Sequence, residues 1–65
     1  MSISTETRTA LRDLYRVACH GAGAEPRREA RTEIERILTL EGQSLGDAFR
    51  SCDLDIGAYF ASRPF

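Results

Sequence analysis

The stretch GDAFRSCDLDIGAYF, Gly46–Phe60, decides how this chain folds. It spells two short helices around a tight turn. Ser44 can cap the first while Asp47, three residues on, favours the positive helix end. Leu45, Ala48, Phe49 and Cys52 then fall on one face. Asp53 or Asp55 caps the second, which carries Leu54, Ile56, Tyr59 and Phe60 and stops at Pro64. A helix-turn-helix that reads DNA would want a small residue where Ala48 stands and an apolar one near Ala58. It would usually have Gly where Cys52 stands, and its second helix would offer its N-terminal end to the duplex. Here that end is Asp53-Leu54-Asp55, two carboxylates facing a polyanion. Arg50 and Arg63 are too few for the phosphate contacts that dominate DNA affinity. The stretch is two capped core helices.

Outward from it, the spacing predicts a helix over residues 5–19, buried through Leu11, Leu14, Tyr15 and Ala18. Ser4 or Thr5 caps it, and Gly21 supplies a left-handed end. After the loop HGAGAE, a second helix is predicted over residues 26–41, with Pro26 in its first turn. It buries Ala30, Ile34, Ile37, Leu38 and the stem of Glu41, and Gly42 ends it. No alternation of strand period appears. The expected fold is all-α, a compact single domain over residues 1–65, with about four helices, two longer and two short. Leu14, Ile34, Ile37, Leu38, Phe49 and Phe60 are the expected centre. The terminal RPF either tucks Phe65 onto the bundle or leaves it as an exposed anchor. At 65 residues and 42% hydrophobic, the chain can build one small core.

Catalytic and metal-binding patterns are missing from the sequence. His20 is the only histidine and sits at a helix end, where it suits the dipole. With two separated cysteines it makes no ligand spacing. Cys19 and His20 are adjacent, so on a helix they point about 100° apart and cannot act as a pair. GAGAEP lacks the lysine and the preceding strand of a phosphate loop. Asp53 and Asp55 serve better as caps than as general acid and base. The expectation is a protein that is not an enzyme and uses no cofactor or metal. MSISTETRTA lacks the basic start and apolar run of a signal peptide, and no stretch approaches the ~20 apolar residues of a membrane span. A cytoplasmic location and two free, buried thiols, Cys19 and Cys52, follow as expectations.

Charge is segregated although the net is only −1. Residues 1–32 hold six arginines against four acids, whereas residues 33–55 hold six acids against Arg36 and Arg50. Arg8, Arg12 and Arg16 recur every four residues on the first helix, as do Glu25, Glu29 and Glu33 on the second. A helical wheel at ~100° per residue brings Arg27 and Arg31, not the glutamates, beside the arginine stripe when the helices pair antiparallel. A basic side of Arg8, Arg12, Arg16, Arg27 and Arg31 is therefore expected. The acidic side is Glu33, Glu35, Glu41, Asp47, Asp53 and Asp55. Solvated faces with a few intrahelical pairs such as Glu33–Arg36 are the plainer alternative.

In size, compactness, mixed charge and lack of catalytic motif, the whole chain resembles the small accessory inhibitors of phages and mobile elements, anti-CRISPR proteins among them. The resemblance implies a stoichiometric blocker of a bacterial defence complex that competes for a nucleic-acid-binding surface. Those six acids would then contact a basic groove. The expected activity is that of a non-catalytic protein-binding module whose partner is a protein or a multisubunit nucleoprotein complex. Direct DNA binding and membrane association are not expected, and the chain should be a monomer or weak dimer. The alternatives are a nucleic-acid-associated regulator using the arginine side, or a structural subunit of a larger assembly.

Overall fold

In the computed structural model, which describes residues 3–62, four helices follow one another: α1 (Thr5–His20), α2 (Ala24–Glu41), α3 (Leu45–Ser51) and α4 (Ile56–Ala61). No strand occurs among the described residues. The long pair α1 and α2 forms an antiparallel hairpin, and α3 and α4 fold back over one flank of it. The tail with Pro64 and Phe65 lies outside the described residues.

Each helix end has a local cause. The Ser4 hydroxyl accepts from the Thr7 N–H at 3.2 Å, closing the start of α1. Gly21 departs from expectation: its φ of −65° is not left-handed. Its N–H donates to the Val17 carbonyl at 2.8 Å, so closely that a Cβ would sit 2.5 Å from that oxygen. Glycine is required there for approach, and the left-handed turn moves to Gly23, with φ of 90°. That lets α2 begin at Ala24, two residues ahead of Pro26. The ring is tolerated because first-turn N–H groups have no intrahelical acceptor.

Gly42, with φ of 68°, closes α2 as expected: its N–H donates to Thr39 and that of Gln43 to Leu38. The same two-bond closure ends α3, where Asp53 donates to Arg50 and Leu54 to Phe49. Here the left-handed residue is Asp53, with φ of 60°, rather than a glycine. Because Asp53 is used in this way, Asp55 is the cap of α4, its Oδ1 accepting from Gly57 at 2.9 Å and Ala58 at 3.3 Å.

The core is Leu11 and Ala18 from α1, Ala30, Ile34 and Leu38 from α2, and Ala48, Phe49 and Cys52 from α3. Tyr59 and Ile3 complete it. Cys52 is buried and Cys19 half-buried, and both are free thiols. Phe49 stands at its centre, edge-on to Tyr59 at 4.9 Å and to Tyr15 at 5.6 Å. Six placements differ from expectation, beginning with Tyr15 and Cys19, expected buried and only partly so. Leu14 and Ile37 are only partly buried, because α3 and α4 cover the opposite flank of the hairpin. Phe60 is 47% exposed, and its neighbour Tyr59 faces inward instead. Adjacent helical residues diverge by about 100°, so a short helix can turn only one of these two rings inward. Glu41 is exposed at the end of α2, past the packed part of the helix.

Leu38→Ala is expected to cost roughly 2–5 kcal/mol, since Leu38 is 4% exposed among core side chains. A urea titration should show the midpoint falling with little change in slope.

Candidate functional site

The arginines expected to form a basic face are largely taken up by the fold. Arg31 is buried, its guanidinium 4.2 Å from the centre of the Tyr59 ring and donating to the Tyr59 carbonyl. Arg27, half-buried, donates to the Ala18 carbonyl at 3.3 Å and to the Ser62 carbonyl. Arg12 reaches the Cys52 carbonyl at 3.4 Å, and the Tyr15 hydroxyl donates to the Asp55 carbonyl at 2.9 Å. The arginine acceptors lie at or near the C-terminal ends of α1, α3 and α4, where carbonyls lack helical partners and a cation complements the dipole. The expected basic surface of Arg8, Arg12, Arg16, Arg27 and Arg31 is therefore corrected. Arg27 and Arg31 are struts, Arg12 is engaged although exposed, and Arg8 is partly buried. Arg16 is exposed beside Asp13 at 3.8 Å.

The strut role has a sequence signal. Arg27 and Arg31 lie seven and three residues before Ile34, on the same turn spacing as the core-facing Ile34 and Leu38. An arginine at a core-facing position beside an aromatic-rich C-terminal segment suggests a stem buried for packing and a head held by carbonyls.

The six acids are not gathered on one face. Glu33 and Glu35 are two positions apart on α2, about 200° around the axis, and so flank it on opposite sides. Glu33 accepts from Arg36 Nε at 3.2 Å and from Arg36 Nη2, and this pairing holds its carboxyl below the ordinary carboxylate value. Glu35 lies toward Tyr59, where its charge adds to the factors raising that phenol. Glu41 is exposed at the end of α2, and Asp47 is exposed in the first turn of α3. Asp53 and Asp55 do come together. With Arg50 they rim an open depression of about 350 Å³ whose apolar lining is Phe49, Leu54 and Ile56.

Among the described residues, the ion pairs are Arg16–Asp13 and Arg36–Glu33. Glu41, Asp47 and Asp53 are exposed carboxylates outside any ion pair. The described residues hold no group of three His, Cys, Asp or Glu placed to share a metal ion. No described helix is long and apolar enough to cross a membrane. Compared with family models, curated proteins and solved structures, the chain matches none of them.

Arg31→Ala should destabilise by about 2–4 kcal/mol, combining a charge-assisted hydrogen bond with a cation–π contact. Chemical denaturation of this variant beside Arg16→Ala, expected to change little, checks it. A second expectation concerns alkaline pH. Burial holds the Tyr59 phenol above its ordinary 10.0, opposed in part by Arg31. Tyr15 shifts the same way, first through desolvation and then through Cys19. The unfolded chain thus ionises first, so this stabilisation is complete below about pH 10 and is lost as pH rises toward the folded values. Tyr59→Phe should flatten that decline in a pH series of denaturation midpoints.

Proposed function

We propose that this chain is a small, non-catalytic protein-binding module that occupies a basic surface of its partner. One observation carries the reading: the fold commits Arg12, Arg27 and Arg31 to main-chain carbonyls and leaves the carboxylates Glu41, Asp47 and Asp53 exposed and outside any ion pair among the described residues. Asp53 sharpens the point. It holds a left-handed position that glycine occupies at lower cost, by roughly 1 kcal/mol. Local stability therefore favours glycine at 53, while a carboxylate there gives the apolar depression a charged rim. Glu41 likewise sits at the end of α2, where a negative charge opposes the dipole. Two acids placed against local preference are accounted for by contact with a cationic partner.

The narrower form of the reading is a stoichiometric blocker of a nucleic-acid-binding surface, as the resemblance to small phage inhibitors implies. A basic groove that accepts nucleic acid has the charge this surface complements. A cytoplasmic setting belongs to the same proposal. The regulator that binds nucleic acid through arginines is disfavoured by the internal use of Arg27 and Arg31.

Nuclease-treated lysate from the source cells, passed over immobilised protein, tests the reading. The combined variant Glu41→Arg, Asp47→Arg, Asp53→Asn should lose its partner by about tenfold or more, while Arg8→Glu with Arg16→Glu retains it. Circular dichroism establishes that both variants remain folded. An acid variant that captures its partner as wild type does, or recovery of nucleic acid alone before nuclease treatment, overturns the proposal.

A further inference from the structure

The two flanks of the α1–α2 hairpin are unlike. Arg12 and Tyr15 on α1, with Arg27 and Arg31 on α2, carry the bonds and ring contacts to α3 and α4, which marks the covered flank. The opposite flank follows from the wheel, taking Leu11 and Ile34 as core-facing at about 100° per residue. It brings out Ala10, Leu14 and Val17 from α1, with Ile37 and Leu40 from α2. Their exposure agrees: Leu40 is 75% exposed and Val17 38%, while Ala10, Leu14 and Ile37 are intermediate. The Arg27–Ala18 bond fixes the antiparallel level, which sets Val17 near one end of the strip and Leu40 near the other. At a rise of 1.5 Å per residue the strip runs for about 18 Å, the length of roughly twelve helical residues.

Its rim is acidic. Glu6 and Asp13 border it on α1 and Glu29 on α2, while Glu33 falls between Ile37 and Leu40 on the wheel; Asp13 is paired with Arg16, so Glu6 and Glu29 are the rim carboxylates outside an ion pair among the described residues. Arg36, the cation on that side of α2, is already bonded to Glu33. Two antiparallel helices with a shallow apolar seam and carboxylates along both edges fit a third helix with basic flanks. A second copy lying on the same face would oppose carboxylate to carboxylate, and an anionic membrane or a nucleic acid would meet the same repulsion.

We infer that the open α1–α2 face docks an amphipathic helix of a partner protein, with arginine or lysine flanking its apolar stripe. This rests on the protein-binding reading and adds the face and the chemistry of what covers it. The helix completes a three-helix layer, burying Leu40 and Val17 while its basic flanks meet the rim.

The test is selection from a displayed library of amphipathic helices of about 15 residues, with an apolar stripe at helical spacing and randomised flanks. Selection on the wild-type chain should enrich arginine and lysine at the flanks. Binding of the enriched peptides should fall at least about tenfold on Leu40→Asp and on Glu6→Arg/Glu29→Arg, and weaken with added salt. All three substituted positions are exposed, and circular dichroism verifies that each variant is folded. Enrichment of acidic flanks, absence of enrichment, or equal binding to Leu40→Asp overturns the inference. So does light scattering that finds a wild-type dimer abolished by Leu40→Asp, which would make a second copy the occupant. If the peptides fail while partner capture still depends on Glu41, Asp47 and Asp53, this inference falls and the protein-binding reading stands.

Discussion

A six-residue helix has too little length to hold itself, and α4 is held by a cation lying over a ring. Arg31 covers the Tyr59 face and donates to the Tyr59 carbonyl, so one side chain fixes both the ring and the backbone of that helix. Tyr59 in turn stands edge-on to Phe49, which stands edge-on to Tyr15. Through these contacts α1, α2, α3 and α4 meet at one point. Among the described residues the arginine has no carboxylate partner and its Nε has no hydrogen-bond acceptor. Its charge is met by the Tyr59 carbonyl dipole and by the ring, which suits a delocalised, weakly hydrated guanidinium better than a compact ammonium.

The same arrangement settles what happens at the helix ends. In a domain this small, unpaired C-terminal carbonyls are a large share of the polar groups needing partners. Gly42 and Asp53 turn the chain so that its own N–H groups close α2 and α3. Arg12, Arg27 and Arg31 supply the carbonyls of Cys52, Ala18, Ser62 and Tyr59. Three of the nine arginines therefore act as main-chain clamps. The surface that remains is more acidic than the near-neutral net charge suggests, because Arg27 and Arg31 are turned inward while no acidic residue is buried. The surface we propose for a cationic partner follows from how the small core is fastened.

The sequence by itself determined the elements and several of their caps, though not the positive-φ residue between α1 and α2, which is Gly23 rather than Gly21. Apolar residues at helical spacing gave α1 and α2 to within two residues at each end. Ser4, Ser44 and Gly42 act at the positions their chemistry indicates, because capping depends on atoms three or four residues away. The solvent-exposed His20 and the Glu33–Arg36 pair were legible for the same reason.

What the tertiary structure decided is which flank of the hairpin α3 and α4 would cover. That choice rests on contacts forty residues apart, such as Arg12 with Cys52 and Tyr15 with Asp55, and no local pattern encodes them. It buried Arg31, drew Tyr59 inward in place of Phe60, and left Leu14 and Ile37 at the edge of the core. It also split the acids into separate groups, because residues clustered along the chain diverge once wound on helices that point different ways. Local sequence fixes backbone shape through short-range sterics and hydrogen bonds. The allocation of faces is a property of the packed whole, where burying one side chain excludes its neighbour.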